Sequence, residues 1–348
     1  VFVGANVPFG MGQLGPTSIP QEWDWCSGYH DSDSTVIGFS HTHLSGTGIG
    51  DLFDITVMPV VGEGLTYARG REEDPQSGLW SYADRSKEVA RPGYYSVPLT
   101  RYGVTAELTA TSFVGMHRYT FPETEEAGIV INLMNGGCWD RPMDAFIERV
   151  DPRTGDPDPE GQALRGYRFS RGWADDQKIF FYAEFSKPLA SVDILKDDIQ
   201  IWTDEFKNMS TFAHVHFKTT QDEQVLMKVA LSSVSMEGAY DNMQAELAGW
   251  DFDETADLAD DLWNHELGRI HIETQDEVAR KIFYTALYHT MIAPSEFSDF
   301  GGDHRHKDCI SETDGYTQYT TFSLWDTYRA AMPLYSLFQP DRYHEFIS

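Results

Sequence analysis

Residues 211–218, TFAHVHFK, alternate between apolar and polar side chains. Residues 104–109, VTAELT, alternate in the same way. A period of two puts successive side chains on opposite faces of an extended chain, so both stretches are predicted to be half-buried β-strands. Further strand candidates are residues 36–41, 94–99, 115–121, 129–133, 178–185, 191–195 and 224–232. Many strands in series, separated by Gly, Pro and Asp turns, predict a large antiparallel β-sandwich.

The pattern changes from strand to helix near residues 235–255. The helix candidates are residues 253–267, stopped by Gly268, residues 276–292, residues 322–332, ended or kinked by Pro333, and a last one opened by Pro340. Asp253 is the expected N-cap of the first helix. In residues 276–292 the apolar side chains recur with a period of about 3.6 and form a wide stripe. A β domain followed by helices is therefore expected.

The chain has a net charge of −29, from 55 acidic and 26 basic residues. Duplex nucleic acid and anionic membrane surfaces both attract basic segments, so neither is an expected partner. No run of about 18 apolar residues occurs, so no membrane span is predicted. Aromatic residues make up 14% of the chain, which suits core packing and also offers surfaces on which sugar rings can stack.

Three His-x-His pairs are present in the sequence. They are His41/His43, His214/His216 and His304/His306. Two imidazoles at this spacing bind a metal only if they face the same way and a third ligand joins them. The alternative is a histidine that is hydrogen-bonded in a turn or on a sheet face.

The three cysteines, Cys26, Cys138 and Cys309, are widely spaced and form no Cys-x-x-Cys pair. Zinc-ribbon and thioredoxin-type chemistry are therefore excluded, and at most one disulfide is possible. The cysteines leave the cellular compartment undecided.

Residues 6–59 are rich in Gly, His, Ser and Asp, which is typical of loops that shape a binding surface. The run GTGIG, residues 46–50, is not a phosphate-binding loop, because no Lys-Ser/Thr follows it, and it is not a dinucleotide fingerprint. Its glycines are expected to allow a sharp turn or the close approach of a ligand.

Residues 314–329, DGYTQYTTFSLWDTYR, gather Trp, Asp, Arg and several Tyr at a loop-to-helix junction. Trp325 and Asp326 lie near the start of the third predicted helix, where the helix dipole can hold a carboxylate that points at sugar hydroxyls. Equally, Asp326 can pair with Arg329 one helical turn further on. The residue types alone leave both interpretations open.

Long blocks of the sequence, in the same order, resemble glycoside hydrolase family 92. The blocks are VPFGMGQLGP with GYHDSDSTVIGFSHTHLSGTGIGDLFDITVMP (residues 7–16 and 28–59), EVARPGYYSV (88–97) and GYTQYTTFSLWDTYRAAMPL (315–334). The resemblance implies a large N-terminal β-sandwich, a helical connector and an (α/α)6 toroid with the active site between them. We accordingly expect a sandwich domain at residues 1–250, a connector at 251–270 and the truncated start of the catalytic domain at 271–348.

The resemblance also implies an activity. Members of the family are calcium-dependent, inverting exo-α-mannosidases, so the expected partner is a mannose-containing glycan such as an N-glycan. A secreted, periplasmic or cell-surface bacterial protein is the expected setting. The short start before the Pro-Phe-Gly block fits a trimmed N-terminus.

The resemblance assigns a sugar-binding role to four residues of this chain. Phe9 and Gly10 match the family's Pro-Phe-Gly loop, which contacts the terminal mannose. Asp326 matches a carboxylate that binds mannose hydroxyls, and Trp80 loosely matches a Trp contributed by a sandwich loop. The acid, the base and most Ca²⁺ ligands are expected C-terminal of Ser348, in the remainder of the same polypeptide, so no catalytic residue or metal ligand is assigned here.

Two other functions compete with the mannosidase. A carbohydrate-binding sandwich without catalysis would bind mannose-containing glycans but not cleave them. An inverting sugar phosphorylase of similar architecture would need phosphate in place of water. The shortage of basic residues makes a phosphate site less natural.

Overall fold

Two stacked antiparallel sheets form the first two-thirds of the molecule in the computed structural model. The structure describes residues 2–19, 25–45, 50–67, 70–74, 76–137, 140–200, 206–321 and 323–347. The strands are β1 (Gly15–Thr17), β2 (Thr35–Val36), β3 (Gly38–Ser40), β4 (Thr56–Val61), β5 (Ser81–Tyr82), β6 (Val89–Arg91), β7 (Tyr94–Leu99), β8 (Val104–Ala110), β9 (Val114–Phe121), β10 (Thr124–Asn132), β11 (Arg141–Val150), β12 (Ala163–Arg171), β13 (Gln177–Phe185), β14 (Ser191–Gln200), β15 (Phe206–Thr219), β16 (Glu223–Ser232), β17 (Asp303–His306) and β18 (Cys309–Glu312). The helices are α1 (Met236–Glu246), α2 (Phe252–Leu267), α3 (Glu277–His289), α4 (Leu324–Thr327), α5 (Ala331–Phe338) and α6 (Pro340–Phe346).

The sandwich consists of a six-stranded sheet, ordered β1-β3-β4-β10-β15-β14, and an eight-stranded sheet, ordered β11-β12-β13-β16-β9-β8-β7-β6. Their facing side chains share one apolar core, which includes Ile129 and Val215 from the first sheet and Leu108 and Val229 from the second. In β15, the strand that contains residues 211–218, Val215 pairs directly with Ile129 of β10. The predicted antiparallel sandwich is confirmed.

The switch from strand to helix follows β16 and is sharper than predicted. Helix α1 was not predicted; it begins at an N-cap, Ser235, whose hydroxyl accepts a hydrogen bond from the Gly238 N–H. The N-cap of α2 is Asp251 and not Asp253, since the Asp251 carboxylate accepts the Glu254 N–H at 3.0 Å. Gly268 follows α2 as predicted. The proposed domain boundaries remain predictions.

The predicted helix at residues 322–332 is wrong in its extent. The structure instead forms one turn, α4, and then a separate helix, α5, which contains Pro333 within its first turn. A proline is tolerated there because the first N–H groups of a helix have no partner within the helix. Pro340 opens α6 as predicted.

The N-terminal segment is held between the sandwich and the helices, and this places the candidate site. The Trp263 indole N–H of α2 donates to the Asn6 carbonyl oxygen at 2.7 Å. The Gln13 amide donates to the Ile292 carbonyl oxygen, just past α3, at 2.8 Å. On the other side the Gly12 N–H donates to the Ser112 carbonyl oxygen in the turn between β8 and β9 at 2.8 Å. The segment therefore ties the helices to one end of the eight-stranded sheet.

Candidate functional site

The loop with Phe9 and Gly10 lies at the junction of the sandwich and the helices. The Phe9 N–H donates to the Met291 carbonyl oxygen at 2.8 Å, and the Glu296 N–H donates to the Phe9 carbonyl oxygen at 2.7 Å. Phe9 has a φ of 59°, a left-handed conformation that is uncommon for a residue with a side chain. Two backbone hydrogen bonds from the helical part thus fix an unusual loop conformation.

The Phe9 ring faces the helices and is fully buried. Its centroid lies 6.5 Å from that of Tyr319, 6.2 Å from that of Tyr335 and 5.3 Å from that of Phe346. The Arg342 guanidinium lies over the ring, 5.0 Å from its centroid. The ring therefore anchors the loop, while the backbone N–H and carbonyl oxygen of Phe9 are already bonded to Met291 and Glu296.

Gly10 allows a close approach between the loop and the β8–β9 turn. A Cβ atom at Gly10 would lie 2.9 Å from a Val7 methyl carbon and 3.3 Å from the Ser112 Cα. Any larger residue would have to push the loop away from the turn. Phe9 and Gly10 together therefore hold the sandwich turn against the helical part.

A cleft of about 410 Å³ opens beside this contact. Its lining residues come from the β8–β9 turn, the segments before β17 and after β18, and α6. They are Phe113, Glu296, Ser298, Asp299, Phe300, Gly301, Gly302, Thr313, Gly315, Tyr316, Thr317 and Glu345. We call this the junction cleft. Carboxyl groups among aromatic rings provide hydrogen-bond partners and apolar faces, both of which a sugar ring can use.

Glu296 is a strongly perturbed carboxyl group of the junction cleft. The pKa of its side chain is raised to about 7: burial and the nearby Glu246 and Glu345 carboxylates raise it, and a hydrogen bond from Ser112 and the Arg342 charge partly offset them. Strongly shifted carboxyl groups in a cleft are typical of functional sites. Glu296 was not predicted as a site residue.

Asp299, at the other side of the junction cleft, is a structural anchor. Burial raises the pKa of its carboxyl group to about 6. One of its oxygens accepts the Ser232 hydroxyl at 2.6 Å and the other accepts the Asn242 amide at 3.1 Å. Both oxygens are thus bound to protein groups, which holds the cleft wall to α1 and β16.

Asp326 lies on α4 and is exposed to solvent. The alternative pairing with Arg329 is not found, because the Arg329 guanidinium donates to the Tyr328 hydroxyl at 2.8 Å and lies over the Tyr328 ring. Helix α4 has only four residues, so the expected support from a helix dipole is small. Asp326 lies in sequence between Tyr319 and Tyr335, which both contact the Phe9 ring. Its carboxylate is therefore exposed on a segment whose flanking residues, Tyr319 and Tyr335, contact the Phe9 ring.

Trp80 lies apart from the other predicted site residues. Its carbonyl oxygen accepts a hydrogen bond from Arg101, in the turn between β7 and β8, at 2.9 Å. The contact with Gly10 is made by Ser112, beyond the opposite end of β8. Seven residues of strand separate the two ends by about 20 Å. The Trp80 ring is buried, and its indole N–H has no hydrogen-bond partner among the described residues.

His41 belongs to a buried chain of hydrogen bonds. The Ile55 carbonyl oxygen can only accept, so His41 Nδ1, at 2.6 Å, carries a proton. His41 Nε2 then accepts from His117 Nε2 at 3.0 Å, and His117 Nδ1 accepts from the Tyr119 hydroxyl at 2.7 Å. Burial lowers the pKa of His41 to about 4 and that of His117 well below its usual range. Both rings are therefore neutral and fully bonded.

The other paired histidines of the described chain have different environments. His43 Nδ1 bonds to the Gln13 carbonyl oxygen at 2.8 Å, and His214 Nδ1 bonds to the Tyr67 hydroxyl at 2.7 Å. His304 is buried and His306 is exposed. Within the described ranges, no three His, Cys, Asp or Glu side chains come together in a way that could hold a metal ion.

Some predictions concern residues outside the described part of the chain. Residues 46–49 of the glycine-rich run lie there, and so does Cys138. Cys26 is buried, Cys309 is exposed, and the two do not bond to each other.

The fold and its junction cleft define a class: a large antiparallel β-sandwich followed by a few helices, with a carboxyl-lined cleft where they meet. Residues 1–232 match the description "Glycosyl hydrolase family 92 N-terminal domain", and residues 238–348 match "Glycosyl hydrolase family 92 catalytic domain". The chain belongs to glycoside hydrolase family 92, as its sequence motifs predicted.

Solved structures and a curated sequence are similar to this chain. A family GH92 alpha-mannosidase from Bacteroides thetaiotaomicron, solved with mannoimidazole, is 36% identical with a TM-score of 0.87 and covers 97% of this chain and 44% of its own. An inverting GH92 mannosidase from Bacteroides thetaiotaomicron VPI-5482, 24% identical, shares the fold with a TM-score of 0.77 over 96% of this chain and 42% of its own. An "Uncharacterized secreted glycosidase" of Arthroderma benhamiae is 23% identical over 319 residues, 85% of this chain and 40% of the relative. The chain thus spans less than half of the length of these relatives.

None of the helices in the described residues combines the length and the apolar character needed to cross a lipid bilayer.

Proposed function

We propose that the complete protein is an exo-acting α-mannosidase that removes terminal mannose from glycans with inversion at the anomeric carbon. The observation that carries this proposal is the 36% identity to a GH92 alpha-mannosidase over 97% of this chain. Membership of a hydrolase family favours water over phosphate as the attacking group, and so favours the mannosidase over the phosphorylase.

In this proposal the chain supplies the sugar-holding side of the active site. The Phe9–Gly10 loop and the Asp326 carboxylate contact the terminal mannose, with the buried Phe9 ring holding the loop rigid. Trp80 can join this site only from the far end of the β7–β8 hairpin, so it is the least supported of the four residues. Inversion needs an acid and a base about 6.5–9.5 Å apart with a water between them. We place that pair outside this chain.

Calcium dependence is a separate part of the proposal. Ca²⁺ takes six to eight oxygen ligands, and in the described ranges no cluster of acidic or histidine side chains fits such a site. No step proposed for the residues of this chain therefore involves calcium, and the ligands are proposed to lie mostly beyond Ser348. Exhaustive chelation is expected to abolish hydrolysis by the complete protein; full activity after chelation would contradict this part alone.

We also propose that the protein acts outside the cell or at its surface. The support is the name of the fungal relative, which describes that protein as secreted. Polymeric and branched glycans are found in that setting, which agrees with an exo-acting enzyme.

The test is hydrolysis of an α-linked mannobiose by the complete protein, followed by proton NMR of the anomeric signals. We expect free mannose with the β-anomer appearing first, because water attacks the face opposite the leaving group. Release of mannose 1-phosphate that depends on added phosphate would instead establish the phosphorylase. Binding of the mannobiose without any cleavage would establish the carbohydrate-binding sandwich.

A further inference from the structure

Glu296 occupies an unusual position between the predicted sugar-binding loop and open space. Its backbone N–H donates to the Phe9 carbonyl oxygen at 2.7 Å, and its side chain lines the junction cleft. Glu296 therefore contacts the Phe9–Gly10 loop through its backbone and faces the junction cleft with its side chain.

The charged neighbours of Glu296 are all bound to other groups. On α1, the Glu246 carboxylate accepts the Thr111 hydroxyl at 2.5 Å and the Phe113 N–H at 2.9 Å. On α6, the Glu345 carboxylate accepts the Thr317 N–H at 3.2 Å.

Arg342, also on α6, donates to Glu266 at 2.8 Å. The Arg342 guanidinium also interacts with the Tyr319 hydroxyl. No ion pair of Glu296 exists among the described residues, and its identified side-chain partner is the Ser112 hydroxyl.

This environment determines the chemical form of Glu296. Partial burial and two neighbouring carboxylates both oppose ionisation, and the pKa of the group is raised to about 7. Below that pH the side chain is a neutral carboxylic acid, which both donates and accepts hydrogen bonds. A sugar hydroxyl also does both, whereas an ionised carboxylate can only accept. Asp299 cannot play this part, because both of its oxygens are bound to Ser232 and Asn242.

We propose that Glu296 is a specificity-determining residue that donates a hydrogen bond to a sugar hydroxyl oxygen in the junction cleft. This inference rests on the proposed mannosidase function and adds a contact that none of the four predicted residues supplies. It assigns to the cleft a neutral, hydroxyl-rich ligand, namely the terminal sugars of a mannose-containing glycan.

The inference predicts a particular pH dependence. As the pH rises through about 7, Glu296 ionises and loses its ability to donate, so the glycan should bind less tightly. The contact is made in the ground state and the transition state alike, so its loss should raise KM and leave kcat nearly unchanged.

The test compares Glu296→Gln and Glu296→Leu in the complete protein, with KM and kcat measured from pH 5 to 8.5. Gln keeps a donor and an acceptor at every pH, so its KM should stay near the low-pH value of the wild type and not rise above pH 7. Leu removes both, and its KM should rise about tenfold at low pH, the expected effect of one lost hydrogen bond. Glu277→Gln, an exposed carboxylate of α3, is the matched control and should keep the wild-type profile.

The inference is overturned if the Gln variant loses as much affinity as the Leu variant, or if it keeps the wild-type rise of KM above pH 7. Binding of mannobiose, measured by calorimetry with each variant, separates this inference from the proposed function. If the wild type binds with this pH dependence but never cleaves, the function fails and the Glu296 contact stands. If circular dichroism shows that the Leu variant is unfolded, the comparison of the Gln variant with the wild type alone tests the inference.

Discussion

Two buried ionisable groups, the Arg168 cluster in the sandwich and Glu296 in the junction cleft, differ in how completely the protein bonds them. The Arg168 guanidinium is fully buried and donates to both Asp54, at 2.6 Å, and Asp140. In the cleft, Glu296 has Ser112 as its identified side-chain partner and no ion pair among the described residues.

This contrast distinguishes side chains that support the fold from side chains that bind a ligand. A buried polar group that is fully bonded to the protein stabilises one conformation and has nothing left for a ligand. A carboxyl group kept partly bonded beside open space carries a desolvation cost that the fold alone does not explain. On this criterion Arg168, His41 and Asp299 support the fold, and Glu296 binds.

The largest expected effect comes from breaking the sandwich network. Arg168→Met removes the cation and leaves the Asp54 and Asp140 carboxylates buried without it, which is expected to cost about 3–5 kcal/mol of unfolding free energy. The measurement is urea unfolding of the protein followed by tryptophan fluorescence.

A matched control uses an exposed pair. Arg153 pairs with Asp151 at the surface, and Arg153→Met should cost far less unfolding free energy than Arg168→Met. Equal losses of unfolding free energy for the two variants would show that the buried Arg168 network stabilises the fold no more than an exposed ion pair does.

A smaller effect is expected from the histidine chain. His117→Phe keeps a ring of similar size but leaves His41 Nε2 and the Tyr119 hydroxyl without their partner. The expected loss is about 1–3 kcal/mol for the unsatisfied groups. Thermal unfolding checks this, with Tyr119→Phe expected to cost less because it removes only one end of the chain.

The His41 and Glu296 side chains are expected to make stability depend on pH with opposite signs. The folded state holds His41 neutral, with a pKa of about 4, while the unfolded chain takes up a proton below about 6.5. Stability should therefore fall as the pH drops from about 6.5 towards 4. Glu296 has the opposite sign, because its raised pKa means that stability falls as the pH rises from about 4.5 to about 7.

Unfolding midpoints of the protein across pH 4–8 separate the two contributions. Glu296→Gln should weaken the decline above pH 4.5, to which Asp299 also contributes, and His117→Phe should weaken the loss below pH 6.5. If neither variant changes the pH profile relative to wild type, the assigned protonation states are incorrect.

Alternation along the strands was enough to predict the sandwich. Residues 104–109 and 211–218 lie within β8 and β15, and residues 94–99 form β7. Strands β11 and β12 were missed, because charged and aromatic side chains such as Arg165 and Tyr167 share their outward face and blur the period of two.

The site was harder to predict than the fold, because its properties depend on contacts between residues that are far apart in sequence. Nothing in the run SEFSD indicates that Glu296 lies against Ser112, far away along the chain. The motif that contains Phe9 identified the right loop, but the sequence could not show that its ring points into the helices and not towards a ligand. Local rules also missed the caps, since Asp251 and Asp253 are equally suitable residues for an N-cap.

The most direct measurement is a crystal structure of the complete protein with a mannose-configured inhibitor such as mannoimidazole. We predict that the sugar lies in the junction cleft, with the Glu296 carboxyl group within hydrogen-bond distance, the Phe9–Gly10 loop in contact with it and Asp326 facing it. An inhibitor bound elsewhere, with Glu296 still bonded only to Ser112, would contradict the assignment of the cleft to the sugar.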